Sequence, residues 1–365
     1  MVVNLLVILI FGSLTLLGII LVMNPLNVNK KANIWFGLFC LIWASFWLEE
    51  IAHLIIGQTF SMNSIIVLKI IQFISPIVFY ISIRCFTNPE FKIGARGVLF
   101  LLLPFIFTTL LILDPILPVN LNPVLYYFMP LHGLAYILLS LLKIRKHKRD
   151  IKQFTSNTSE IDLEWLKYIV WASLLLVIGI TTFNVLFFDA PLNLFMNALT
   201  YIVIIITAYF ALKQKEIFPS DVQERADALL LVREPNSEIY QNKLLSDEKL
   251  VDVKYLLNNL IIDEELYLDL ELSLGKLAKR LDISSHQLSY VINKGYNQNF
   301  YSFVNKFRIE KAKKLLLDKE LDKYSIVGIA YESGFNSKTT FNTLFKKTTG
   351  MTPSEYKKRN SDLSI

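Results

Sequence analysis

Cysteine is nearly absent, with two residues in a chain of 365. Cys40 and Cys85 both fall in or at the end of apolar stretches, without metal-ligand spacing. A disulfide framework and a thiolate metal centre are therefore excluded, and both cysteines read as packing residues. Histidine is almost as scarce, at four. No glycine-rich nucleotide loop, phospho-acceptor domain or Ser/His/Asp arrangement occurs, so no enzymatic activity, no cofactor and no metal are expected. A third absence is positional. Lys and Arg are missing from every second loop between the apolar runs of the N-terminal half.

Those runs dominate the composition: 53% of residues are hydrophobic, 26 are Phe, and mean hydropathy is +0.45. A soluble domain rarely reaches such values, so the average hides an apolar block. Seven stretches make it up: 3–22, 34–56, 63–83, 98–113, 123–142, 165–188 and 192–212. Most reach the ~20 residues a helix needs to cross hydrocarbon about 30 Å thick. The fourth is short and contains Pro104. One set of loops holds Lys30 and Lys31; Arg84, Lys92 and Arg96; Lys143 to Lys152; and Lys213 with Lys215. The other set, including 57–62, 114–122 and 189–191, has no Lys or Arg. Cationic loops stay cytoplasmic, which places the N-terminus outside and the C-terminus inside and requires an odd number of crossings. The first run has signal-peptide length but no basic n-region, and reads as retained. The outer loops are short. Input must enter between helices as a lipophilic ligand, from the lipid bilayer, or from a membrane partner protein.

Ionisable side chains within such runs are costly and usually functional. Glu49, Glu50 and His53 lie in the second run and Lys69 in the third. At 1.5 Å per residue Glu49 and Lys69 both sit roughly 10 Å from the outer end. His132 in the fifth run lies at a similar depth, at about 13 Å. The readings are an outer-half polar pocket formed by all five residues, an interhelical ion pair that only fixes packing, or, on the weaker signal of two distant histidines, a metal site of His53, His132 and a carboxylate.

Past Lys215 the character changes. Residues 217–264 carry five basic and ten acidic residues, whereas 265–365 carry 17 and 11. A basic terminal domain suits a polyanion partner, and the acidic balance argues against DNA contact by the preceding segment. Within that segment 221–232 and 246–262 are helical in pattern. Ser246 is a candidate N-cap, and an apolar stripe runs Leu250, Val253, Leu257, Leu260 and Ile261. The stripe either packs on the following domain or pairs two protomers as a homodimer.

The last hundred residues hold an internal quasi-repeat. In the first unit Leu274, Leu277, Ala278 and Leu281 form one helix face, Ile283 plugs a turn, and Leu288, Val291 and Ile292 bury a second helix. In the second, Ile326, Ile329 and Ala330 pack, Gly334 permits the turn, Phe335 plugs it, and Phe341, Leu344 and Phe345 bury the partner. Between them 300–318 reads as one long amphipathic helix of about 27 Å, near the ~34 Å separating successive major grooves on one face of DNA.

The run Ile329-Ala330, then Ser333-Gly-Phe-Asn-Ser337, then Phe341, Phe345-Lys-Lys and Gly350-Met-Thr-Pro-Ser-Glu-Tyr356 resembles the AraC/XylS family of bacterial transcription regulators. The resemblance covers about 270–359. Its departure is Asp282, where the family's first turn usually has Gly; Asp tolerates the left-handed conformation. The layout is also similar to membrane-anchored regulators of that family. It implies an all-α protein: a seven-helix transmembrane bundle (1–215) in a bacterial cytoplasmic membrane, a cytoplasmic helical linker (216–264) and a double helix-turn-helix domain (265–365) bound to double-stranded DNA. The family places both second helices in successive major grooves. That implies base readout by Ser285, His286, Ser289 and Tyr290 on one and by Lys338, Thr339, Asn342 and Thr343 on the other. Ser284, Lys294, Ser337, Lys346 and Lys347 suit phosphates. The expected function is a membrane-bound, sequence-specific transcription regulator. The alternative is a membrane transporter or docking protein carrying a DNA-binding reporter domain.

Overall fold

Apolar helices of membrane-spanning length bury a stripe rather than a whole surface, and the first helix shows how. In α1 (Val2–Met23) the buried residues are Val7, Ile10, Leu14, Leu17, Gly18 and Leu21, spaced three and four apart. The computed structural model describes residues 2–186, 194–219, 221–233, 246–318 and 324–361. Among these no β-strand occurs, and the fold is all-α, with one isolated antiparallel bridge between Thr155 and Ser273. The chain divides into two compact units: residues 1–146 with 163–217, and residues 147–162 with 218–365.

The first unit holds α1, α2 (Lys30–Ala44), α3 (Leu48–Ile56), α4 (Met62–Thr87), α5 (Leu99–Leu113), most of α6 (Asn122–Asp150), α7 (Glu164–Leu186) and α8 (Leu194–Lys213). Helix α1 packs on α2 and α8, and α2 packs on α4. Helices α1 and α2 cross where Gly18 meets Gly37: a Cβ on Gly37 would lie 2.7 Å from the Gly18 carbonyl oxygen. Small residues let helix backbones approach where lipid offers no hydrophobic drive. The second apolar run is interrupted by a 3₁₀ turn at Ser45–Trp47 and ends on Gly57 at φ 71°. Phe36 centres an aromatic cluster with Phe39, Phe79, Phe86 and Trp165. Among the described residues five helical spans are long and apolar enough to cross a membrane: Val2–Met23, Lys30–Ile56, Met62–Thr87, Asn122–Gln153 and Leu194–Lys213. Helix α5 is shorter, and α7 ends where the described residues stop.

The second unit contains α9 (Val222–Arg233), α10 (Asp247–Asp263), α11 (Leu274–Arg280), α12 (Ser285–Tyr296), α13 (Phe300–Leu317), α14 (Ile326–Glu332), α15 (Lys338–Thr349) and α16 (Pro353–Ser361). Side-chain caps punctuate it, and Ser246, Ser284 and Ser337 among them are legible in the sequence. Ser246, Ser273, Ser284, Asn299, Ser325 and Ser337 each accept a backbone N–H in the first turn of the following helix. Ser284 forms a full capping box with Gln287. The stripe on α10 packs within the unit, with Leu257 and Ile261 fully buried and α10 set against α12. The second helical pair has a continuous core of Ile309, Ala312, Leu316, Ile329, Ala330, Phe335, Phe341 and Phe345.

Candidate nucleic-acid interface

Two helix pairs, α11–α12 and α14–α15, flank the long helix α13. Their turns are set by backbone that bends left-handed: Asp282 at φ 53° in the first and Gly334 at φ 84° in the second. Asp adopts that region by local hydrogen bonding, whereas the second turn leaves no room for a side chain. A Cβ on Gly334 would meet the Tyr267 carbonyl oxygen at 2.7 Å and Leu268 Cα at 3.0 Å.

The second helices of the two pairs, α12 and α15, differ in accessibility. On α15, Lys338, Thr339 and Thr343 are exposed and Asn342 is half-buried, while Phe341 and Phe345 face the core. The Thr343 hydroxyl donates to the Thr339 carbonyl at 2.8 Å, which leaves its methyl group outward. Lys346 and Lys347 are exposed at the C-terminal end. On α12 the picture changes. His286 and Ser289 are half-buried, Lys294 is exposed with its ammonium 5.4 Å from the Tyr290 ring centre, and Ser285 and Tyr290 are buried. The sequence reading placed Ser285, His286, Ser289 and Tyr290 on an outward face. Helix α9 packs against α11 and α12, and the Asp227 carboxylate accepts the Ser285 hydroxyl at 3.0 Å. The hydroxyls of Ser284 and Ser337 serve as helix caps, so only their remaining lone pairs and the adjacent helix N-termini are left for phosphate.

The same unit holds a contact that sequence reasoning missed. The segment 147–162, placed by its sequence between two membrane runs, packs with the C-terminal unit. Its backbone bonds the residues around α11: the Leu274 N–H donates to the Phe154 carbonyl at 2.9 Å, and the Ser156 hydroxyl to the Leu272 carbonyl at 2.8 Å. Arg308, fully buried in the middle of α13, joins the pieces. Its guanidinium donates to the Tyr267 and Asp269 carbonyls at 2.6 and 2.9 Å, to the Ser156 carbonyl and hydroxyl at 3.3 and 3.1 Å, and to Asn157 Oδ1 at 3.1 Å. Burial pushes its pKa down to about 10, partly offset by Asp269, and it stays charged at neutral pH. Asn305 adds a bond to the Ser156 carbonyl at 3.2 Å, and the Ser159 hydroxyl reaches Asn336 in the second turn at 3.2 Å. Lys152 lies 5.1 Å from the Tyr301 ring centre; its pKa is lowered by burial and then by Lys148 and Lys347, so this segment adds positive charge to the domain. One signal for Arg308 was available: an arginine on a helix face whose neighbours are Val304, Ile309 and Ala312.

In the first unit, Glu49, Glu50, His53 and Lys69 are exposed, and no ion pair joins them among the described residues. Helix α3 buries Ile51, which turns Glu49, Glu50 and His53 outward. His132 is buried instead, stacked on Phe73 at 4.1 Å and edge-on to Tyr136 at 5.0 Å, and neither ring nitrogen has a hydrogen-bond partner.

Residues 277–359 match the family model of a helix-turn-helix domain, and the C-terminal unit contains an AraC-type helix-turn-helix domain. The chain is 33% identical over 88 residues to an uncharacterized HTH-type transcriptional regulator in the cgkA 5' region of Pseudoalteromonas carrageenovora; the match covers 24% of this chain and 50% of that protein. It is 34% identical over 93 residues to an uncharacterized HTH-type transcriptional regulator of Staphylococcus aureus (strain COL), covering 26% of this chain and 12% of that one. A protein of S. aureus strain N315 described in the same words matches to the same extent. The chain thus spans half or less of the length of these relatives, and the likeness is confined to the DNA-binding end. No solved structure matches the chain significantly.

Proposed function

We propose that the protein is a membrane-bound, sequence-specific transcription regulator with no catalytic role. Seven crossings set its N-terminus outside the bacterial cytoplasmic membrane and its C-terminal unit in the cytoplasm. Helices α12 and α15 read successive major grooves, and the transmembrane bundle receives the input. The observation that carries this reading is the pair of helix-turn-helix units, joined by an 18-residue helix of about 27 Å, on a chain whose other half is apolar helix. The outward position of Glu49, Glu50, His53 and Lys69 favours input from a membrane partner over a ligand enclosed among them, because ionised groups facing lipid are costly unless covered.

Topology is tested by a reporter fused after Leu212. A cytoplasmic signal is expected; a periplasmic one overturns the route to DNA. Reading and anchoring are separated by two substitutions. Asn342→Ala should cost roughly 1–3 kcal/mol on the specific site and little on random duplex. Lys347→Ala should weaken both about equally and flatten the salt dependence by about one unit of slope. Equal losses on specific and random DNA for Asn342→Ala would remove it from base readout.

A further inference from the structure

Helix α9 connects the end of the membrane half to the DNA-binding unit, and its acidic face is turned toward that unit. Asp221, just ahead of the helix, and Glu224 and Asp227 within it recur every three residues. Glu224 bonds the Lys279 ammonium of α11 at 2.8 Å and lies 3.4 Å from where a Cβ on Gly275 would sit. Asp227 bonds Ser285, the first residue of α12, at 3.0 Å. The Lys279 pKa is raised first by Glu224, with smaller contributions from Asp221 and Asp227, so all three carboxylates act on one cation. Ala228, Leu229 and Leu231 are buried, which makes the seating of α9 a packed contact as well as an ionic one. The same helix packs against the 3₁₀ turn Ile151–Gln153 that continues α6, and Phe218, just before α9, stacks on Phe154 at 5.7 Å.

We infer that α9 is an autoinhibitory clamp whose carboxylates occupy the first reading unit in place of DNA. This rests on the reading of α12 and α15 as DNA-reading helices and specifies how that site is regulated. Ser285 cannot meet a base edge or a phosphate while Asp227 holds it, and a phosphate backbone approaching Lys279 meets Glu224 in its way. Among the described residues the second helix-turn-helix pair carries no such cover, because Lys338, Thr339 and Thr343 are exposed. In this state the protein engages DNA through α15 alone. Full engagement requires α9 to leave, and α9 follows α8 in the chain and packs against the 3₁₀ turn that continues α6. Input to the bundle then reaches DNA as a change in where α9 rests.

The test uses the full chain in lipid nanodiscs. Double-stranded DNA is selected from a random pool with the wild type and with a Glu224→Gln/Asp227→Asn double variant, which removes the charges and keeps the helix. The double variant should bind its selected duplex roughly three- to tenfold more tightly. Its nuclease footprint should extend by about one helical turn, or 10 base pairs, beyond that of the wild type. Hydrogen exchange across 222–233 should be faster in the double variant on its duplex than in the wild type, where α9 stays seated. Unchanged affinity with an unchanged footprint overturns the clamp, as does α9 protection that is equal in the two proteins. If the double variant enriches a sequence that depends on Asn342 while its α9 stays seated, the clamp alone fails. If neither protein enriches any sequence, the DNA-reading assignment fails and the clamp with it.

Discussion

Arg308→Met should cost the C-terminal unit about 3–5 kcal/mol, since it removes the buried charge to which three carbonyls and three side chains are tied. The substitution keeps an unbranched apolar stem and strands the acceptors of Tyr267, Asp269 and Ser156 away from water. Arg308→Lys should recover little, because an ammonium on a flexible stem cannot reproduce a planar fork that serves six acceptors at once. The loss should appear as faster hydrogen exchange in both α13 and segment 147–162, since one group holds the two together. If α13 loosens while 147–162 keeps its protection, the segment is not docked through Arg308. A loss under about 1 kcal/mol, the worth of one ordinary hydrogen bond, would equally rule out docking through that side chain.

Gly334→Val should cost about 2–4 kcal/mol, from the left-handed backbone at φ 84° and from a clash that rigid backbone cannot relieve. The Cβ would fall 2.7 Å from the Tyr267 carbonyl oxygen and 3.1 Å from Arg308 Nε, so it attacks the same buried junction from the other side. The measurement is urea denaturation followed by hydrogen exchange in α14 and α15. Full retention of exchange protection there would show that the turn can relax. By contrast Gly350, also left-handed at φ 79°, has open space around its Cβ, and Gly350→Asn should be tolerated to within about 1 kcal/mol.

Local chemistry made much of the C-terminal unit legible. The caps at Ser246, Ser284 and Ser337, the left-handed Asp282 and Gly334, and the plugs Ile283 and Phe335 depend on neighbours within a few residues, so spacing alone locates them. What escaped was set by long-range packing. Ser285 and Tyr290 lie where helical periodicity points outward, but exposure depends on what lands there, and Asp227 is 58 residues away from Ser285. Arg308 meets Ser156 across 152 residues, and no local pattern encodes that distance. In the membrane half, depth could be counted from helix ends but direction could not. The 3₁₀ turn at Ser45–Trp47 advances the helix by about 120° per residue instead of about 100°, so roughly 60° of phase is lost before Glu49. Most limits of the apolar runs were legible from composition; those at 188 and 192 lie outside the described residues. The continuation of α6 as an unbroken helix through the basic residues to Asp150 was not, because polar surface neither favours nor forbids a helix.

In vitro selection of duplex DNA by the full chain in nanodiscs, followed by footprinting of the winning sequence, tests the central claim most directly. The half-site under α15 is expected in the wild type and a second, about one helical turn away, in the Glu224→Gln/Asp227→Asn variant, with the first blurred by Asn342→Ala and overall affinity falling steeply with salt. A protein that retains intact helices α10 to α16 by hydrogen exchange yet enriches no sequence would contradict the claim that this chain reads DNA.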